Sequence, residues 1–189
     1  MAEAMTHRSV EVTVIELAPS AMTTIDPDLG TLVGQELERH GVRLFAGQAI
    51  AEIAAEGESL RLKGPNNFTH EADMVLVAAG AKPDTALAVA AGAQTGFKGA
   101  IKVNRRMETN LPDVYAAGDC VETFHRITQG VTYLPLGTTA HKQGRIAGEN
   151  AIGRERLFEG SLGTQVVRVF DRVVARTGFH DRDARAAGF

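Results

Sequence analysis

The sequence predicts an ordered α/β chain, and three observations carry that reading. A stretch with apolar residues at helical spacing, 26–40, lies between short runs rich in β-branched residues. A continuous apolar run, 74–79, ends at Gly80, as a strand buried on both faces of a parallel sheet does. A second helical stretch, 137–153, follows another short apolar run at 114–117.

Taken in order, residues 1–8 read as the last turns of a helix, followed by a strand at 10–17. The helix at 26–40 opens with Asp26-Pro27, a cap followed by proline at the first helical position, and stops at Gly41. Its apolar residues are Leu29, Leu32, Val33 and Leu37. Short strands are expected at 42–45, 49–54 and 59–63, with a turn at Gly64-Pro65-Asn66-Asn67. The buried strand at 74–79 follows. From Ile101 a second unit begins, with strands at 101–103 and 114–117 and the helix at 137–153. Strands at 166–170 and 173–177 and a helix start in DRDARAAGF close the chain.

Composition narrows the function classes. At 189 residues the chain can build one ordinary core or two small domains. With 44% hydrophobic and 23% charged residues it has a globular balance, and a net charge of −3 gives no reason to expect nucleic acid or an anionic membrane as partner. No apolar run approaches the roughly 20 residues of a membrane span, and the N-terminus lacks a secretory apolar region. The single cysteine excludes an internal disulfide and a cysteine-rich metal site, so a cytoplasmic address is the default. No spacing among the histidines and acids makes a metal site.

The most informative motif joins LPDVYAAGDC, 111–120, to the helical stretch GTTAHKQGRIAGENAIG, 137–153. Gly118 lets a ligand approach the backbone, and Asp119 can accept hydrogen bonds from the hydroxyls of a ribityl chain. A helix starting near Gly137–Thr139 can aim free N–H groups and its positive dipole end at the pyrimidine edge of a flavin. Asp119 as a plain turn cap is the bland alternative, and the paired helix argues against it. Gly144 and Gly148 are expected to allow close helix–sheet packing. Glu16 closes the first strand, where an acid can hold the ribose hydroxyls of NADH and repel the 2′-phosphate of NADPH; a solvated strand end is the alternative. Gly80 lies where a cofactor can approach the end of a parallel strand. Cys120 has neither a Cys-x-x-Cys partner nor a nearby base, and reads as a small hydrophobe. His141, in the first helical turn, reads as a surface residue or as a substrate contact.

Together, VLVAAGAKPDT, TNLPDVYAAGDCVE and YLPLGTTAHKQGRIAGENAIG resemble the FAD-dependent pyridine nucleotide-disulfide oxidoreductases, in the branch of coenzyme A disulfide reductases, NADH oxidases and NADH peroxidases. The tail FEGSLGTQVVRVFDRVVARTGF resembles the opening of that family's dimerisation domain. The resemblance implies a doubly wound, three-layer, Rossmann-like FAD/NAD(P)-binding fold, truncated and followed by the start of an α+β dimerisation domain, with FAD and NADH as cofactors. Electrons would pass from NADH through FAD to a thiol disulfide, persulfide, oxygen or peroxide in a homodimer. It assigns 1–98 to an NADH-binding domain without its first strand and glycine-rich loop, 99–155 to the C-terminal part of the FAD-binding domain, and 156–189 to the start of the dimerisation domain. Asp119 matches the FAD-contacting aspartate, Ala140 and its neighbours the helix start under the flavin, Glu16 the ribose-binding acid and Gly80 the loop beside the nicotinamide nucleotide. His141 matches a position that contacts coenzyme A.

No Gly-x-Gly-x-x-Gly and no redox cysteine of the expected kind occur, so the family pattern places both before Met1. On that reading 10–16 and 74–79 expose apolar edges, and the isolated chain is expected to bind FAD poorly. The alternatives are an inactive free-standing fragment that at most binds a nucleotide or a partner chain, and a flavin-free NAD(P) dehydrogenase, which leaves Asp119 and its helix without a task.

Overall fold

The computed structural model describes all residues, Met1–Phe189, and divides into two compact units. The first comprises Met1–Ala79, Val166–Ala175 and His180–Arg182; the second comprises Gly80–Gln165, Arg176–Phe179 and Asp183–Phe189.

In the first unit a short helix α1 (Ala2–Thr6) precedes strand β1 (Thr13–Glu16), helix α2 (Pro27–Arg39) and strand β2 (Arg43–Ala46). β1 and β2 pair in parallel, Thr13 opposite Arg43 and Glu16 opposite Ala46, with α2 as the crossover. α2 has Asp26 as N-cap and proline at its start, as the sequence predicts. Its buried stripe differs from the expected one: Gly30, Val33, Gly34, Glu36 and Leu37 face inward, whereas Leu29 and Leu32 are exposed. The two glycines let the helix lie close to its neighbours, so the small residues mark the packed face. An added Cβ at Gly34 would come within 3.0 Å of the Leu44 side chain, and one at Gly30 would strike the Ser20–Ala21 segment. Val33 and Leu37 join Ala21, Ile25, Val42 and Phe170 in the core, backed by Val12, Val14 and Leu44.

Strands β3 (Glu52–Glu56), β4 (Ser59–Lys63) and β5 (Thr69–Ala72) form an antiparallel meander in the order β3-β4-β5. β5 has no counterpart in the sequence reading, because THEA lacks the apolar alternation that marks a half-buried strand. The expected strand at 74–79 is absent. No ladder partner pairs its backbone, and Met74, Leu76 and Val77 are exposed. An apolar run forms a buried strand only when neighbours cover both its edges and faces.

In the second unit a short helix α3 (Ala86–Ala90) precedes irregular segments fastened by isolated bridges of Ile101 to Thr95 and to Val121. The expected strands at 101–103 and 114–117 are reduced to such bridges. Ala93, Ile101 and Val121 form the core there, and Cys120 packs against it, half-buried, as a small hydrophobe would. A hairpin of β6 (Thr123–His125) and β7 (Gly130–Thr132) leads to helix α4 (Gly137–Ala151). The ring of His125 lies flat on Phe179, with centroids 4.9 Å apart, and its Nδ1 accepts the Ile127 N–H at 3.3 Å. Burial holds the His125 pKa below the ordinary histidine value; Asp183 opposes that shift and Arg176 adds to it.

Strands β8 (Gln165–Val169) and β9 (Arg172–Arg176) pair as a hairpin, and helix α5 (Asp181–Ala186) ends the chain. The hairpin turn belongs to the first unit. There Phe170 is buried in the core and donates its N–H to Glu3 at 3.0 Å. No helix is long and apolar enough to cross a membrane.

Candidate cofactor site

The site is built where the segment ending in Ala-Gly-Asp meets the start of α4. Gly118 has φ +93°, a left-handed conformation that only glycine adopts without strain, and it turns the chain into Asp119. A side chain on Gly118 would come into ordinary contact with the Cβ of Ala140, at 3.8 Å, so the turn and the first turn of α4 lie side by side. Asp119 is exposed and makes no hydrogen bond or ion pair within the chain. Its charge is felt locally: burial raises the pKa of Tyr133, and the negative charge of Asp119 raises it further, with Cys120 adding to the effect.

α4 starts without a side-chain cap. Its N-cap is Leu136, whose carbonyl accepts the N–H groups of Thr139 and Ala140 at 2.9 Å. The N–H groups of Gly137 and Thr138, left over at the helix start, remain for an outside acceptor. The Thr139 side chain is buried and shares a hydrogen bond of 3.1 Å with the Ser161 hydroxyl, so of this residue only the backbone faces the first turn. His141 is exposed on the same helix. Nothing lies within 4 Å of a Cβ built on Gly144 or Gly148, which overturns the expectation that they serve close packing; both face open space.

One residue the sequence reading missed organises the site. Gln143, fully buried, accepts the Gly118 N–H on Oε1 at 3.1 Å and donates Nε2 to the Thr123 hydroxyl at 3.2 Å. It ties the glycine turn, the β6–β7 hairpin and α4 together. The signal lay in the spacing of Thr139, Gln143 and Asn150, polar residues on one helical face that are all buried. Apolar periodicity does not reveal a stripe of that kind.

Each unit carries one of the remaining candidate residues. Glu16 ends β1 in the first unit, and its Oε1 accepts the Ala18 N–H at 2.8 Å, which fixes the carboxylate beside the strand end. Gly80 opens the second unit with φ +95° and open space around it.

A parallel βαβ crossover with an acid at its first strand end, together with a glycine-acid turn beside an uncapped helix, defines an α/β protein of the dinucleotide-binding class. The pyridine nucleotide-disulphide oxidoreductase profile matches residues 1–144. The chain belongs to that family. It is 35% identical to an NADH oxidase of Methanocaldococcus jannaschii over 179 residues, 94% of this chain and 40% of that protein. It is 34% identical to an NAD(P)H sulfur oxidoreductase (CoA-dependent) of Pyrococcus furiosus, over 100% of this chain and 42% of the relative. Among solved structures, an NAD-dependent persulfide reductase from A. fulgidus superposes with a TM-score of 0.92 at 36% identity, covering 99% of this chain and 35% of that one. A water-forming NADH oxidase from Lactobacillus brevis bound to NADH superposes with a TM-score of 0.90 at 26% identity, covering 100% of this chain and 42% of that one. The α/β fold expected from the sequence is therefore that of these oxidoreductases. The chain spans about two fifths of the length of the curated relatives it matches, 40% and 42% for these two.

Proposed function

We propose that the protein containing this chain is a flavoprotein oxidoreductase that takes electrons from NADH through FAD to a disulfide, persulfide, oxygen or peroxide acceptor. The observation that carries the proposal is the free Asp119 carboxylate beside the uncapped start of α4. The donor and acceptor set fits FAD. Asp119 would accept hydroxyl hydrogen bonds of the ribityl chain, while the free N–H groups of Gly137 and Thr138 would face the electron-rich pyrimidine edge; Thr139 and Ala140, whose own N–H groups bond the Leu136 carbonyl, would shape the turn beneath it. When bound there, FAD supplies the two-electron relay between nicotinamide and acceptor.

The residues of this chain position and discriminate. Gly118 and Gly80 keep the approach to the backbone open, and Gln143 holds the Gly118 peptide in place. Glu16 would accept the ribose hydroxyls of the adenosine half, with its second oxygen free of the Ala18 bond, and would repel a 2′-phosphate. His141 is the residue we assign to a coenzyme A substrate, on account of its exposure on α4. We place the NADH-binding domain at 1–98, the FAD-binding part at 99–155 and the start of the dimerisation domain at 156–189. The whole protein would act as a cytoplasmic homodimer. The NADH-dependent oxidoreductase reading is supported by the names of the relatives, which include NADH oxidase and NAD(P)H sulfur oxidoreductase.

The test is anaerobic flavin reduction by NADH and by NADPH in the flavin-loaded, full-length protein that contains this chain. Wild type is expected to be reduced preferentially by NADH. Glu16→Ala removes a charge-assisted hydrogen bond of about 1.5–3 kcal/mol, so it should raise the KM for NADH about 10- to 100-fold and narrow the preference. Equal reduction by both nucleotides, unchanged in the variant, would overturn the assignment.

A further inference from the structure

We propose that Glu36, His40 and Asp171 form a site for a single divalent transition-metal ion, with zinc as the best-fitting cation. None of the three is among the residues assigned to FAD and NADH. α2 places Glu36 and His40 four residues apart on one face, and the hairpin turn brings Asp171 to them from 135 positions beyond Glu36. That separation is why sequence spacing showed no metal site.

Two of the three ligand-to-ligand edges have the length of a coordination edge, and a small rotation of the exposed Asp171 side chain would close the third. His40 Nε2 lies 3.1 Å from Glu36 Oε1 and 3.4 Å from Asp171 Oδ2, and one ligand atom from each residue falls within 4.8 Å of the others. A tetrahedral zinc ion with bonds of about 2.0–2.1 Å has ligand-to-ligand edges of about 3.3–3.4 Å. Three protein ligands leave the fourth position to water, and the half-exposed His40 and exposed Asp171 give that water and the ion a way in.

The three groups are held ready by their surroundings. The Glu36 side chain is 1% exposed. Its other oxygen, Oε2, is bonded by Arg172 Nε at 3.3 Å, which leaves Oε1 directed toward the histidine. The Asp171 N–H donates to Oε1 at 3.2 Å, and the His40 ring is stacked on Phe170 with centroids 4.1 Å apart and planes 3° from parallel. Partners of this kind fix ligand orientation in metal sites.

Arg39 competes for the same carboxylates, at 3.6 Å from both Glu36 Oε2 and Asp171 Oδ2. It is 66% exposed, and an exposed pair of that length is worth little, so its side chain can swing aside. With two carboxylates facing two guanidinium groups, the site is weaker than a site of thiolates. Imidazole and carboxylate donors together select zinc, copper or nickel over calcium and magnesium.

The experiment is a titration of the metal-free, full-length protein that contains this chain with zinc chloride by calorimetry, repeated with cobalt(II) followed by visible difference absorption. One equivalent of zinc should bind with micromolar affinity, and cobalt should develop the intense bands of a four-coordinate ion. His40→Ala should weaken zinc binding at least about tenfold. His40→Cys should retain binding and add a sulfur-to-cobalt charge-transfer band, while His70→Ala, on β5, should leave zinc binding unchanged. Circular dichroism confirms that each variant is folded. Absence of zinc binding up to millimolar concentration, or binding undiminished in His40→Ala, would overturn the site.

Discussion

Asn150→Leu is expected to destabilise the protein by about 3–5 kcal/mol, the largest loss from any single substitution in α4. Asn150 is 3% exposed. Its Nδ2 donates to the carbonyls of Arg106 at 2.7 Å and Arg156 at 2.9 Å, and its Oδ1 accepts the Arg156 N–H at 2.8 Å. Leucine is close in volume but leaves three backbone groups, of Arg106 and the exposed Arg156, without their partner at a part-buried site. Each costs about 1–3 kcal/mol when orphaned, with partial relief where the chain can shift toward solvent. At about 2–4 °C per kcal/mol for a chain of this size, the melting temperature should fall by on the order of 10 °C. His141→Ala, an exposed change on the same helix, should stay within about 0.5 kcal/mol. Denaturant unfolding of both variants checks the comparison, and equal midpoints would show that the Asn150 bonds contribute nothing net.

Gln143→Met should cost about 2–4 kcal/mol and weaken the cofactor site as well. Methionine keeps the length and shape of the side chain, so the loss reports hydrogen bonds and not a cavity. The Gly118 N–H and the Thr123 hydroxyl, at 3.1 and 3.2 Å from Gln143, lose their partner. Gly118 precedes Asp119 directly, so a peptide free to rotate there misplaces the carboxylate. In the full-length protein, FAD should therefore be released more readily from Gln143→Met than from Asn150→Leu, even though the second change costs more stability. The reverse order would mean that Gln143 supports only the fold.

Elements whose sequence carries its own start, stop and period were legible without the structure. Asp26-Pro27 and Gly41 bracket α2, 137–153 reads as α4, and the alternating runs after Gln165 read as the β8–β9 hairpin. What escaped depends on distant neighbours. The run 74–79 has the composition of a buried strand but forms none, because a strand needs neighbours that no local pattern encodes; its exposure, with Val77 70% exposed, agrees with the expectation drawn from the family resemblance. The inward face of α2 was misjudged because Gly30 and Gly34 pack closely while the larger Leu29 and Leu32 do not. Within the site, Gly118, Asp119 and Ala140 stood out as a small-residue turn and a helix start. Gln143 did not, since a glutamine inside a helix ordinarily faces water.

If Asp119 and the start of α4 hold a flavin, the FAD content of the purified full-length Asp119→Ala protein must show it. Wild type should purify yellow with near-stoichiometric FAD. Asp119→Ala should lose most of it, with affinity reduced about 10- to 100-fold, the equivalent of one charge-assisted hydrogen bond of about 1.5–3 kcal/mol. A folded Asp119→Ala protein that keeps its full flavin complement at unchanged affinity would contradict the account.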